Sequence, residues 1–340
     1  MKKINTIELF AGAGGLALGL SQAGFHHLAL NENNKDCIQT LHSNKPNWSI
    51  IEKDIHQVSF EPFYEKVDMV SGGFPCQAFS HSGKRLGFED TRGTLFYEFA
   101  RCILEIKPLC FLAENVKGLL THDSGKTIET IMNTFLDLNY HVFSPLLLNA
   151  NNYDVAQKRE RVFIFGVQKS IKKDFYFEKP TIGFSPTLKD IFFQGKYYST
   201  NVDSIISQGH SYSEKKKKYF ELIPQGKNWK SLPIDLQKEY LGSMFHSEGG
   251  KTGILKKLSY EEPSVTLLTS PSQKQTERCH PIFNRPLNIR EYARIQSFPD
   301  DWIFTGSIAS QYRQIGNAVP VLLAKHVGQY IFQQLNSYLI

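Results

Sequence analysis

The sequence predicts an α/β fold: a mainly parallel sheet with helices on both faces, joined to a smaller, irregular second domain. Three observations carry this. Residues 4–168 alternate strand-like apolar runs with helical segments, the pattern of βαβ units. The first strand runs directly into a glycine-rich turn and a helix. The regular rhythm then stops at Lys179-Pro180-Thr181-Ile182-Gly183-Phe184-Ser185-Pro186, where two prolines and a glycine within eight residues mark a connection between domains.

Taken in order, Ile4 to Phe10 reads as a strand, and a helix is expected from about Gly14 to Ala23. His27 to Asn31 is a second strand, followed by a helix over Lys35 to Ser43 and a third strand before Asp54. Val67 to Ser71 is a strand that ends in Gly72-Gly73. Thr94 to Lys107 is a helix stopped by Pro108, because proline disfavours helical backbone in the residue before it. Leu109 to Ala113 is a buried strand and Lys126 to Leu138 a helix. Val142 to Leu148 and Val162 to Val167 complete the strands. Residues 187–285 show weak periodicity and are expected to be irregular. Order returns at Leu287 to Phe298, and a final helix is expected from Pro320 to Leu335. The expected division is 1–184 with 313–340 as one domain and 185–312 as the other. At 340 residues the chain is long enough for both.

Composition narrows the function classes. A hydrophobic content of 41% describes a soluble globular protein, and no apolar run reaches the length of a membrane span. Met1-Lys2-Lys3-Ile4 is not followed by the apolar stretch of a signal peptide. The five cysteines, Cys37, Cys76, Cys102, Cys110 and Cys279, are scattered and form no C-x-x-C pair. That argues against a disulfide framework and a zinc site, and for a reducing cytoplasm. No metal is expected. The net charge is +6, unevenly spread: Ser185 to Asp300 holds 17 Lys+Arg against 12 Asp+Glu, and the remainder holds 22 against 21. The excess lies where a phosphate-bearing partner would be met, although Lys215 to Lys218 reads as a solvated lysine surface.

Four segments carry candidate chemistry. In Phe10-Ala11-Gly12-Ala13-Gly14-Gly15-Leu16-Ala17, Gly12, Gly14 and Ala17 fit G-x-G-x-x-[GA], where glycines admit close approach of a ligand to the backbone. Twenty residues after Gly12 comes Glu32, placed to accept from ribose hydroxyls. This pattern fits NAD and S-adenosylmethionine equally. Asp54-Ile55 follows the third strand and is either an adenine contact or an exposed loop. Second, Gly72-Gly73-Phe74-Pro75-Cys76-Gln77 ends a strand at the edge where open α/β sheets bind ligands, so Cys76 is a candidate nucleophile. Glu114, in Leu112-Ala113-Glu114-Asn115-Val116, lies at the same edge and can protonate or hydrogen-bond a ring nitrogen. Third, Gln157-Lys158-Arg159-Glu160-Arg161 precedes a strand; it is either a solvated basic turn or, if strand pairing begins there, an alternation that puts Arg159 and Arg161 on one face. Fourth, Gln314-Ile315-Gly316-Asn317-Ala318-Val319-Pro320-Val321 is either a helix cap or a return of Asn317 to the cofactor pocket.

These segments, in this order, resemble the DNA (cytosine-5)-methyltransferases of bacterial restriction–modification systems. Phe10 to Gly15, Gly73 to Gln77, Glu114-Asn115-Val116 and Gln157 to Arg161 are similar to the family's cofactor, Pro-Cys, ENV and Q-x-R-x-R motifs. Arg290-Glu291-Tyr292-Ala293-Arg294-Ile295-Gln296-Ser297-Phe298-Pro299 and Gln314 to Val321 resemble its last two. The resemblance spans about residues 5–335, interrupted over roughly 187–285. Asn33 departs from it, standing where many relatives place an aromatic or apolar side chain against the adenine.

The resemblance implies a Rossmann-like S-adenosylmethionine-dependent methyltransferase domain. The cofactor would meet Phe10, Ala11, Gly12, Gly14 and Gly15, with Glu32 on the ribose and Asp54 and Ile55 by the adenine. Pro75, Leu95 and Asn317 would complete the pocket. Cys76 would attack carbon 6 of a flipped cytosine, with Glu114, Arg161 and less directly Arg159 holding the base. Ala78 to Gly93 would be a mobile loop. Residues 185–286 would recognise double-stranded DNA, with Val265-Thr266-Leu267 resembling the family's Thr-Leu pair. Gln77, Ser82, Thr266, Gln273, Lys274, Gln275 and Arg278 are the DNA-contact candidates. A monomeric cytoplasmic bacterial enzyme is implied, with a cognate restriction endonuclease acting separately. Because the first motif begins almost at residue 1, no separate regulatory domain is expected before it.

Overall fold

The computed structural model describes residues 3–75, 95–171, 174–246 and 251–339. The chain forms two compact units. The first comprises Met1–Asn149, Glu160–Ile182 and Val319–Ile340, the second Ala150–Arg159 and Gly183–Ala318.

The first unit is built on a mixed sheet. Its strands are β1 (Ile4–Leu9), β2 (Phe25–Asn31), β3 (Ile50–Ile51), β4 (Met69–Gly72), β5 (Cys110–Val116), β6 (Tyr140–Val142), β7 (Leu146–Asn149) and β9 (Glu160–Gln168); β8 (Gln157–Lys158) falls in the second unit. The spatial order is β3-β2-β1-β4-β5-β9-β6, with β7 also paired to β9. From β3 to β5 the pairing is parallel, as the βαβ rhythm predicts. Its helices are α1 (Gly15–Ala23), α2 (Lys35–Asn44), α3 (Leu95–Ile106), α4 (Lys126–Asp137) and the terminal α10 (Val321–Leu339).

β9 runs antiparallel to β5, β6 and β7. The expected single strand from Val142 to Leu148 is two strands, because Pro145 lacks the N–H that would continue the ladder and constrains Ser144 before it. Both pieces pair with β9 in succession, Val142 opposite Gly166 and Leu146 opposite Phe163. The terminal helix extends four residues beyond Leu335. It turns a face of Val321, Leu323, Ala324, Val327, Ile331 and Leu335 inward, at helical spacing.

Beneath the sheet lies an aromatic cluster of Phe74, Phe96, Phe99, Phe111 and Phe135, all buried. The Phe111 and Phe135 rings lie 4.1 Å apart. Each such side chain contributes about 1.5–3 kcal/mol by leaving water, and the cluster fixes α3 and α4 against β4 and β5.

The second unit is more ordered than its weak periodicity suggests. It holds α5 (Leu188–Phe192), α6 (Glu214–Glu221), α7 (Ile234–Leu241), α8 (Ile289–Ile295), α9 (Ile308–Asn317) and β10 (Ser264–Val265), which pairs in parallel with β8. A core of Tyr212, Tyr219, Phe220, Ile223, Trp229, Leu232, Leu241, Ile254, Leu255 and Cys279 holds it together. Lys215 to Lys218 lie on α6. Contrary to a wholly solvated surface, Lys216 reaches inward to the buried Glu277 at 2.9 Å. The division also differs from the boundaries expected at 184/185 and 312/313. Residues 150–159 and 313–318 join the second unit because β8 pairs with β10, and Gln157 and Arg159 bond to Leu267, Gln296, Gly316 and Ala318. Among the described residues, no helix is long and apolar enough to cross a membrane.

Candidate active site

The parallel register aligns four strand ends. Leu9 pairs with Asn31 and with Gly72, and Gly72 with Ala113, so one row crosses β2, β1, β4 and β5. The chain reverses direction of connection beside β1, and the crevice outside such strand ends is where open α/β sheets bind ligands.

Beyond Leu9 the backbone alternates into the left-handed region at Phe10 (φ 57), Gly12 (φ 55) and Gly14 (φ 83). Phe10 holds this conformation at a cost of about 1–3 kcal/mol, a strain that clusters at ligand sites. The turn is anchored by Ala11 N–H donating to Asn31 O and Gly14 N–H to Ala11 O. Among the described residues, chain neighbours aside, no atom lies within 4 Å of the position a Gly12 Cβ would occupy, so the turn faces open space there. Gly15 begins α1.

Glu32 closes the turn from β2. Its Oε2 accepts from Gly12 N at 2.7 Å, and its Oε1 from Asn33 N and Asn34 N at 2.9 and 2.8 Å. Asn33 is exposed, so the departure noted in the sequence leaves that position open to water. Asn31 Nδ2 donates to Ile51 O and Lys53 O, which sets the start of the next loop. There Asp54 is exposed and caps a short turn through His56 N, while Ile55 is buried. Under β1, Glu8 is buried, takes the Ala17 amide of α1 and lies 3.7 Å from His27 Nε2. Burial pushes its carboxyl pKa up.

The other half of the edge is acidic and basic together. Glu114 Oε1 lies 2.9 Å from Arg161 Nε, with the two side chains 10% and 12% exposed. They meet because β5 and β9 pair in antiparallel register, placing Val116 opposite Arg161. A Cβ on Gly73 would stand 2.7 Å from Glu114 Oε2, so a side chain here would push this carboxylate from its place. Asn115 Nδ2 donates to Phe74 O at 2.8 Å and fixes the segment entering Pro75, which is exposed. Cys76, Gln77, Ser82 and the Ala78 to Gly93 loop lie outside the described residues. Leu95, half-buried, is the first residue of α3.

Arg159 does not share a face with Arg161. It is 1% exposed and belongs to the second unit, where Nη1 donates to Leu267 O at 2.9 Å and Nη2 to Gly316 O and Ala318 O at 2.7 and 3.2 Å. The alternation breaks because Gln157–Lys158 pairs with β10 while the next strand begins at Glu160. Gln157 Oε1 accepts from Leu267 N, so both backbone groups of Leu267 are gripped by this motif. Gln157 Nε2 donates to Gln296 Oε1, and Gln296 Nε2 to Ile315 O and Ala318 O. Sequence reasoning missed this role of Gln157 and Gln296; the signal was their place in two motifs far apart in the chain.

Thr266 is held as firmly. Its Oγ1 donates to Lys158 O, and its carbonyl accepts Nε and Nη2 of Arg278. Arg278 is buried, with Nη1 on Glu277 O, so its fork positions Thr266. Burial lowers its pKa. Gln273, Lys274 and Gln275 are exposed on a turn braced by Thr276 N–H to Gln273 O and Arg278 N–H to Pro271 O. Asn317 is exposed at the end of α9, in the second unit, and is not the cap of the terminal helix.

Asp203, His280 and Glu291 bring ligand atoms within 4.8 Å of one another. Arg285 already binds both oxygens of Glu291, and His280 Nδ1 accepts from Ile282 N and Phe283 N. The trio is an internal polar network with its own cation.

The fold and this edge define an α/β protein of the Rossmann-like class, with a polar crevice at the strand ends. The chain matches the model of the C-5 cytosine-specific DNA methylase family over residues 4–333, and belongs to that family. It is 50% identical to the type II methyltransferase M.Eco47II of Escherichia coli, over 97% of this chain and 79% of that protein. It is also 50% identical to the type II methyltransferase M.PspPI of a Psychrobacter strain, over 99% and 80%. A solved DNA modification methyltransferase encoded within an E. coli prophage superposes with a TM-score of 0.71 at 26% identity, covering 98% and 100% of the two chains. The protein is thus a DNA cytosine-5-methyltransferase, and its reaction needs a methyl donor.

Proposed function

We propose that this enzyme transfers the methyl group of S-adenosylmethionine to carbon 5 of a cytosine flipped out of a specific duplex sequence, through a covalent Cys76 adduct. The observation that carries this reading is the Glu114–Arg161 pair pressed against Gly73, on the strand end that leads into Pro75-Cys76. S-adenosylmethionine supplies an electrophilic methyl group bound to a sulfonium.

The residues present fit that cofactor. The turn from Phe10 to Gly14 faces open space at Gly12. Glu32 has three of about four lone-pair sites taken by backbone amides, leaving one for a ribose hydroxyl. Ile55, Pro75 and Leu95 offer apolar contact, and Asp54 is exposed for a polar one.

Flipping the base costs a few kcal/mol of unstacking. The Cys76 thiolate then bonds to carbon 6, and the electron pair of the carbon 5–carbon 6 double bond moves into the ring. Glu114, in its protonated form, supports this by giving a proton to the ring nitrogen, and Arg161 holds it in place and stabilises the carboxylate left behind, which takes the proton back when the ring is restored. Carbon 5 would take the methyl group as its bond to the sulfonium breaks, the electron pair of that bond staying on sulfur as a neutral thioether. A base would then remove the carbon 5 proton, and the returning electron pair would expel the Cys76 sulfur. Three of the four other cysteines support the choice. Cys102, Cys110 and Cys279 are buried, and burial pushes their thiols up, Cys279 to about 12. A thiol with so high a pKa is inert at neutral pH.

Residues 185–286 choose the sequence, with Thr266 and the Gln273 to Gln275 turn as contacts. The names of the relatives, type II methyltransferases, support a modification role in a restriction–modification system; with it we propose a monomer in a bacterial cytoplasm, beside a cognate endonuclease acting separately. Cys76→Ala is expected to fold, bind cofactor and lose methyl transfer. Duplex DNA carrying 5-fluorocytosine should trap the native protein covalently, because the fluorine cannot leave as a proton does. Near-native turnover by Cys76→Ala would overturn the mechanism.

A further inference from the structure

We propose that Arg101 on α3 is the positioning residue for the adenine side of the cofactor pocket; this rests on the reading of Asp54-Ile55 as that side. The loop after β3 has little to hold it. β3 is two residues long, and the following segment forms only the short turn Ile55–Gln57 before Val58 and Phe60 enter the core. On one flank it is tied by Asn31 Nδ2 to Ile51 O and Lys53 O. On the other, Arg101 does the tying.

A guanidinium has five N–H donors in a fixed fork, and here each has an acceptor. Nη2 donates to Ile55 O at 2.8 Å and Nη1 to Val58 O at 2.9 Å. Nε and the second Nη2 hydrogen go to Glu98 Oε2, and the second Nη1 hydrogen to Glu105 Oε1. Glu98, Arg101 and Glu105 follow at i, i+3 and i+7, so one face of α3 presents all three. The carboxylates do more than neutralise the arginine. Glu105 Oε2 accepts from Phe60 N at 2.8 Å, and Glu98 Oε1 lies 3.3 Å from His56 Nδ1. The guanidinium also sits 5.3 Å from the Phe60 ring centroid.

Every attachment on the loop side is therefore to residues 55–60, the stretch directly following Asp54. Three of them, to Ile55 O, Val58 O and Phe60 N, fix where main-chain atoms sit, and the contacts to the His56 and Phe60 rings add to these. None of Glu98, Arg101 and Glu105 is among the residues assigned to cofactor, base or DNA. A lysine at 101 keeps the charge but has three donors on one atom, and cannot span Ile55 O, Val58 O and two carboxylates.

The test compares native protein with Arg101→Lys. S-adenosylmethionine and adenosine binding are measured by calorimetry and competition, alongside KM for the cofactor and kcat at saturating cofactor and DNA. Arg101→Lys should weaken both ligands by the same factor, about tenfold or more, with kcat within about twofold. Equal loss for the adenosine fragment locates the effect at the adenine side, which general loosening of the fold would not do. If Arg101→Lys does not fold, Glu105→Gln probes the same network. It keeps an acceptor for Phe60 N and loses the charge, and a smaller loss of severalfold in both ligands is expected. Unchanged affinity in the folded variant, or a fall in kcat with KM unchanged, overturns the proposal. Native protein that binds neither ligand overturns the cofactor reading itself.

Discussion

The two units build function by different means. In the first, strand ends do the work: Phe10 to Gly14, Glu32, Gly73 to Pro75 and Glu114 follow residues aligned across four parallel strands. In the second, buried side chains grip main-chain groups: Gln157 and Arg159 on Leu267, Arg278 on Thr266, and Gln296 on Ile315 and Ala318. The lesson lies in the two arginines of one motif, two residues apart. Arg161 stands at the sheet edge with a carboxylate, suited to chemistry. Arg159 is a buried clamp, suited to holding a loop.

Replacing each arginine breaks the comparison most sharply. Arg161→Ala should lower kcat by about 10²–10⁴-fold, the range of a lost acid–base contribution, while the thermal midpoint moves little. Arg159→Met should do the reverse. It leaves buried carbonyls of Leu267 and Gly316 without their donor, at about 1–3 kcal/mol each. The midpoint should fall by several degrees, with methyl transfer by the folded fraction retained more fully than in Arg161→Ala. Equal kinetic loss in both variants, measured by steady-state turnover and calorimetric melting, would mean that the two arginines act as one.

This difference also decides what was legible. A strand followed by glycines or an acid is a local pattern, and the glycine turn, Glu32 and Glu114 stand at the sheet edge expected of them. The parallel core from β1 to β5 was readable for the same reason. The antiparallel end was not, because the break at Pro145 depends on which neighbour the strand finds. Least legible were Arg159 and Arg278. A basic residue in a polar stretch looks solvated, and only tertiary contacts between residues more than a hundred positions apart bury Arg159 with both terminal nitrogens bonded. The second unit hid its core likewise: Tyr212, Phe220 and Trp229 have no period, yet they pack together.

The second unit should also carry a pH dependence of stability. His280 is fully buried, with Nδ1 accepting two backbone amides and its pKa lowered to about 3 by burial, then by Arg285 and Lys257. Its folded-state pKa lies below the ordinary value of about 6.5. Its contribution is therefore complete above pH 6.5, where the ring is neutral in both states. Below that the unfolded chain takes up a proton that the folded one refuses, and stability is lost down to about pH 3. Between pH 6.5 and 5 the loss should approach about 2 kcal/mol. His280→Asn keeps an acceptor near Nδ1 and removes the titration. Denaturant melts at the two pH values should then differ by less than in the native protein. An unchanged pH response in His280→Asn would assign it to other groups.

The smallest effect expected is the one that separates positioning from contact within the second unit. Lys274 is exposed, its ammonium 5.3 Å from the centroid of the Tyr240 ring and bonded to Tyr240 O. Its stem is thus laid along the surface, with donors left for a phosphate. Gln273 and Gln275 flank it and are exposed, so the turn offers one cation and two amides from a braced base. A phosphate contact is blind to sequence. Lys274→Ala should therefore weaken binding to cognate and unrelated duplexes alike, and make the slope of log affinity against log salt shallower by about 0.9. Gln273→Ala or Gln275→Ala, if either reads a base edge, should leave the slope alone and cost about 1–3 kcal/mol of discrimination at one base pair. Fluorescence titrations on both duplexes across a salt series distinguish the two. An unaltered slope in Lys274→Ala would remove this lysine from the phosphate contacts and leave the turn's role to its glutamines.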